Sequence, residues 1–150
     1  MSDNLKPSQR VALVGIIDPD AYSASTVTTG WIAAKDAASF LALVSAGDLG
    51  SSATVDAKLE QASDSSGTGA KDISGKAITQ LTKAGTDDNK QAVINLRAAE
   101  LDIANGFTHF RLSMTIGTAA CDASGHVFAL DGRYGPANTF DLTTVDEVVA

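Results

Sequence analysis

An all-β sandwich is the fold predicted by this 150-residue sequence, on three observations. First, the stretch Asn89–Ile116 ends in the two cleanest alternating runs of the chain. Ala92, Ile94 and Leu96 oppose Gln91, Val93, Asn95 and Arg97; Phe110, Leu112, Met114 and Ile116 oppose His109, Arg111, Ser113 and Thr115. A period of two over this length marks a strand buried on one face. Second, strand-like runs recur, several at intervals of about 8–12 residues, between Gly, Asp, Asn and Ser clusters. Third, few segments are strongly helical. The apolar residues lean on Ala and Val, with aromatics at 5%, as suits a thin core between packed sheets.

In chain order, Met1–Arg10 is polar, contains Pro7 and reads as an extended or mobile arm. Val11–Ile17 is a first strand, ended by the turn residues Asp18-Pro19-Asp20. Tyr22–Ala34 has the Thr and Val content of a strand, with a bulge at Gly30 beside Trp31. Lys35–Ser39 is a loop or one helical turn. Phe40–Val44 is continuously apolar and fits a central strand covered on both faces. Thr54–Ala62 alternates, with Val55, Ala57 and Leu59 inward.

Asp64–Lys71 is a flexible loop by composition, and Ile73–Leu81 a strand interrupted at Gly75. Lys83–Lys90 is a turn. The alternating pair follows, joined by AAELDIANGF, which has room for a helical turn. Such a wide connection lets one strand leave a sheet and the next join the other. His126–Asp131 is the last strand. The sum is a jelly-roll-like sandwich of about seven or eight antiparallel strands. It occupies residues 11–136, with arms at 1–10 and 137–150; Phe140, Leu142 or Val145 would partly order the second arm against a neighbour.

Residues that could carry chemistry are sparse. The formal net charge is −7, which argues against nucleic-acid binding and gives no support for anionic membranes. No apolar stretch approaches the roughly 20 residues of a spanning helix. Val11–Ile17 is too short for a signal peptide and lacks a small-residue cleavage site close behind it. The single cysteine, Cys121, excludes an internal disulfide and reads as a small buried hydrophobe.

Asp64–Ala77 superficially resembles a phosphate loop, but Ala77 follows Gly75-Lys76 and Ala70 holds the first glycine position. Asp18 and Asp20 open like a calcium loop, yet Ser23 stands where Gly is needed and Thr29 where Glu is needed. Asp87-Asp88-Asn89 is a solvated turn or an irregular cation site at a subunit contact. His109 and His126 with one cysteine do not make a zinc set. No nucleophile elbow or shaped acid/base pair is present. No enzyme, cofactor or metal is expected. Trp31, Phe40, Phe107, Phe110 and Phe128 read as core.

The order of segments carries a resemblance. It includes the Thr/Val strand with Trp31, F-x-A-L-V before a Gly turn, TVDAKLEQASD, DISGKAIT, QAVINLRAAELD, FTHFRLS and a strand ending at RYGPA. Over roughly residues 22–136 this resembles small β-sandwich decoration, cement or stabilisation proteins from the heads of tailed bacteriophages and related particles. The resemblance lies in strand order and loop composition and carries no catalytic residues. It implies a homotrimer on the outer capsid surface, the major capsid protein as partner, no nucleic acid or membrane partner, and synthesis in the host cytoplasm. The alternatives are a head–tail joining, tail or spike component, or a carbohydrate-binding jelly-roll module. Candidate subunit or capsid contacts are Arg10, Arg97, His109, Arg111, Arg133, Tyr134 and Phe140.

Overall fold

The computed structural model describes residues 4–149; the ends of both expected arms, 1–3 and 150, lie outside them. Ten strands follow a helical turn, α1 (Pro7–Arg10). They are β1 (Val11–Tyr22), β2 (Ser25–Thr28), β3 (Ile32–Ala33), β4 (Ala37–Leu49) and β5 (Thr54–Ala62). The rest are β6 (Lys71–Ala77), β7 (Leu81–Thr82), β8 (Gln91–Arg97), β9 (His109–Gly117) and β10 (Cys121–Gly132). Every pairing is antiparallel. One sheet, A, runs β1-β10-β4-β8; the other, B, runs β2-β9-β5-β6, with β3 on β9 and β7 on β5. The fold is the all-β, jelly-roll-like sandwich predicted.

The alternating stretches form as their pattern requires. β8 buries Ile94 and Leu96, and β9 buries Phe110, Leu112, Met114 and Ile116. β8 belongs to sheet A and β9 to sheet B, so the chain changes sheet between them. Two 3-10 turns, Ala98–Glu100 and Ile103–Asn105, make that crossing. Gln61, buried in β5, accepts the Asp102 amide at 2.8 Å and holds the crossing against sheet B.

The core is thin and aliphatic. Phe40 and Phe110 are its large aromatics. Where the sheets come closest, glycine replaces a side chain. A Cβ on Gly125 would stand 2.9 Å from Leu112 Cδ2, and one on Gly15 would stand 2.9 Å from Ile32 Cδ1. Buried alanines such as Ala42, Ala57 and Ala129 do the same work elsewhere.

Three expectations are corrected. β1 does not stop at Ile17. It continues to Tyr22 through Asp18-Pro19-Asp20, where its register against β10 shifts. An edge position tolerates the proline because the missing N–H has no partner strand to bond. Phe40–Val44 is not covered on both faces: in β4, Phe40, Ala42 and Val44 are buried while Leu41 and Leu43 are partly exposed. Of the five aromatics expected in the core, only Phe40 and Phe110 are buried; Trp31, Phe107 and Phe128 are partly exposed.

Segments near the two ends of the chain pack together. The Ala137–Phe140 turn packs against both α1 and β1. Ala137 is buried and Phe140 lies against the core. Beyond it, Leu13 is gripped at both backbone groups: its N–H donates to Asp141 Oδ1 at 2.9 Å, and its C=O accepts from Leu142 N at 2.8 Å.

Candidate interaction surface

The two outward faces of the sandwich differ in chemistry. On sheet B the outer side chains of β5 and β9 are polar and paired with one another. Glu60 accepts from Arg111 Nε at 2.9 Å, and Lys58 Nζ lies 2.7 Å from Asp72. The hydrogen bond and charge of Asp72 hold the Lys58 ammonium above its ordinary pKa against a smaller opposing desolvation. The Arg111 guanidinium also lies over the Trp31 ring, 4.4 Å from its centroid. Thr26 and Thr115 hydroxyls bond across β2 and β9 at 2.9 Å. A face whose charges already have partners offers little to a new one.

Sheet A turns the opposite character outward. Strand register sets its outer residues in rows. One row is Val11, Leu130, Ser39 and Arg97. The next is Leu13, Phe128, Leu41 and Asn95. The third is Ile16, His126, Leu43 and Val93. None of the apolar members is fully buried, and Val93 is 54% exposed. Eight apolar side chains thus adjoin on one surface, with a single charge, Arg97, at one corner. The outward apolar side chains of sheet A are therefore contiguous, whereas the outward side chains of sheet B are polar.

His126 sits inside that apolar field. Its ring lies parallel to Phe128, with centroids 6.2 Å apart and 9° between planes. Its Nδ1 is buried and has no hydrogen-bond partner. Shallow depressions flank the rows. One, of about 690 Å³, runs past Ser39, Leu41, Asn95, Arg97 and Glu100. The other, of about 500 Å³, runs past Ser45, Gly47, Gln91 and Ser124.

The residues singled out from sequence are scattered. Arg97 lies at the corner of the sheet A face. His109 and Arg111 are on sheet B, where His109 Nδ1 lies 2.9 Å from the Thr108 hydroxyl and Arg111 is held by Glu60. Arg10 ends α1. Arg133 and the 77%-exposed Tyr134 line a separate groove with Phe107 and Ile103. Phe140 faces the core. The structure thus joins Arg133 with Tyr134 in one groove and His109 with Arg111 on the outer face of β9, sets Arg10 and Phe140 on two elements that pack together, and leaves Arg97 on the other sheet.

Sequence reasoning passed over Leu13, Ile16, Leu41, Leu43, Phe128 and Leu130. Two signals were available. Val93 is the lone apolar residue among Gln91, Asn95 and Arg97, and Phe40–Val44 is apolar at every position, not every second one. Among the described residues no group of three His, Cys, Asp or Glu side chains could hold a metal ion, and no helix is long and apolar enough to cross a membrane. Burial raises the pKa of the Cys121 thiol, with Asp122 and Asp88 adding to the shift.

No protein-family model and no curated protein matches the chain. Solved structures with a loosely similar fold include that of infectious bursal disease virus Gt strain, at 15% identity and a TM-score of 0.45, covering 86% of this chain and 34% of that one. The Gx strain gives 14% and 0.45, covering 92% and 38%. The cowpea mosaic virus empty virus-like particle gives 11% and 0.43, covering 96% and 94%. The chain spans little more than a third of the two bursal disease virus chains.

Proposed function

We propose that this chain is a structural virion protein that binds the outside of a phage capsid and stabilises it as a cement or decoration protein. The observation that carries the reading is the apolar outer face of sheet A, set against the self-paired polar face of sheet B. Adhesion needs area, shape match and desolvated apolar contact, with a polar rim and no catalytic group. The face has that form: Leu41, Leu43 and Phe128 near its middle, and Ser45, Gln91, Asn95 and Arg97 toward its margin. The segment resemblance to head decoration proteins points to the same role, with the major capsid protein as partner. The net charge of −7 favours solubility of the free protein before assembly in the host cytoplasm.

The test is attachment to undecorated shells. Leu43→Asp and Phe128→Asp each place a charge in the apolar field while leaving the core residues untouched. Both should lower shell occupancy at least 10-fold with the circular dichroism spectrum unchanged. Thr115→Asp, on sheet B, should bind as the parent does. Undiminished binding by the sheet A variants removes this face from the role. A particle reconstruction with only a few copies at one vertex would favour a joining, tail or spike component.

A further inference from the structure

An antiparallel sandwich has four sheet edges, and an edge strand left open is a template for another strand. Three edges here are closed. The β1 edge carries Pro19 and two register shifts, and Asp141 and Leu142 occupy the Leu13 backbone. The β2–β3 edge is broken into pieces of four and two residues. The β6 edge bears Lys71, Asp72 and Lys76, and Gly75 has a positive φ of 75° beside a register shift. Short strands, charges, proline and irregularity are the devices that keep edges from pairing.

β8 has none of them through its first six residues. From Gln91 to Leu96 there is no charge, proline, glycine or register shift. Its hydrogen-bond phase follows from Ala46 N, which donates to Lys90 O at 2.9 Å in the turn leading into the strand. Ala92, Ile94 and Leu96 therefore bond to β4, and Gln91, Val93 and Asn95 turn their amides and carbonyls outward. The outward amide of Arg97 is already taken by Glu100 Oε1 at 2.8 Å. The open template is thus three residues long and is bounded by that cap.

We propose that β8 pairs antiparallel with β8 of a second copy about a twofold axis at Val93. In this register Gln91 faces Asn95 of the second copy, and Val93 faces Val93. The segment is its own complement: amide meets amide, valine meets valine, and no like charges oppose. Six backbone hydrogen bonds become available, and sheet A becomes a continuous eight-stranded sheet. The axis is perpendicular to the sheet, so both apolar faces point the same way and form one doubled surface. A threefold ring, which the family resemblance implies, would require β8 to meet a different edge head to tail. The other edges are closed, so this contact is twofold. The pairing stands independently of the capsid reading, since it concerns the free protein.

The experiment uses the full chain in solution. Sedimentation equilibrium should give a dimer for the parent protein. Val93→Lys sets like charges opposite each other and should weaken dimerisation at least 10-fold, with the melting temperature of the monomer fold retained. Val93→Cys should form a disulfide-linked dimer under mild oxidation, since paired Cα atoms lie about 5.5 Å apart in this register. Thr115→Cys, on the opposite face, should not. A monomeric or purely trimeric parent, a Val93→Lys dimer of undiminished affinity, or no crosslink at Val93→Cys would each overturn the proposal.

Discussion

Phe40 of β4 and Phe110 of β9 meet edge to face across the sandwich, with centroids 4.7 Å apart and planes at 63°. They are the main aromatic contact between sheets A and B in a core otherwise built of small aliphatic residues. Edge-to-face geometry adds about 0.5–1.5 kcal/mol to the burial of the rings. Phe110→Ala should cost about 3–5 kcal/mol, because alanine-rich surroundings cannot collapse to fill the cavity. Phe40→Ala should cost a similar amount, and the double variant less than the sum. Urea titration of the four proteins measures the coupling.

The C-terminal clamp on Leu13 predicts a second effect. Asp141→Ala leaves the Leu13 amide without its carboxylate acceptor at the β1 edge. The expected loss is about 1–3 kcal/mol, and hydrogen exchange at the Leu13 amide should accelerate while that of Ala12 changes less. Truncation after Gly135 removes Ala137 and Phe140 as well. It should destabilise the sandwich more than Asp141→Ala and expose the β1 edge to strand pairing.

A pH dependence follows from the turn between β7 and β8. Asp88 accepts from Lys83 Nζ at 2.7 Å and from the Leu49 amide at 2.8 Å. Asp87 accepts from the Thr82 amide at 2.9 Å and from Lys90 at 3.1 Å. For Asp88 the Lys83 bond, then the Leu49 amide, holds the carboxyl below its ordinary pKa; for Asp87 the Thr82 amide does most. A depressed carboxylate stabilises the fold above its unfolded pKa, near ~3.9, and that stabilisation is lost as pH falls through the folded value. The turn should therefore loosen below about pH 4. Asp88→Asn should show less of this acid sensitivity, read as the melting temperature between pH 3 and 6.

Trp31 is the one tryptophan and reports on its own surroundings. Arg111 covers its ring, and a Cβ on Gly67 would lie 2.6 Å from its Nε1. Gly67 also has φ of 84°, so Gly67→Ala carries both a clash and backbone strain. That variant should push the indole out and shift its fluorescence to longer wavelength. Arg111→Leu should change the fluorescence and cost about 1–3 kcal/mol, because it takes from the part-buried Glu60 carboxylate its Arg111 Nε donor and leaves Lys58 4.0 Å away as the nearer cation.

The sheets were legible where local pattern and tertiary need coincide. In β5, Val55, Ala57 and Leu59, and in β9, Phe110, Leu112, Met114 and Ile116, are buried as the period of two selects. The crossing between β8 and β9 was legible from its length. The outward apolar face of sheet A was not. In β4 the inward positions Phe40, Ala42 and Val44 and the outward positions Leu41 and Leu43 are all apolar, so periodicity has nothing to alternate with. An apolar run has the same composition whether its second face meets another layer of this chain or a different molecule.

What the sequence by itself determined is the class: one-sided strands and the turn chemistry between them. What only the tertiary structure decided is which strands share a sheet. Setting β1, β10, β4 and β8 side by side is what brings Leu13, Phe128, Leu41 and Asn95 into one row. It also leaves β8 as the unguarded edge. The physical reason is that side-chain direction is a local property of the backbone, whereas neighbours across a sheet come from chain segments far apart in sequence. No single segment contains the outward apolar face of sheet A.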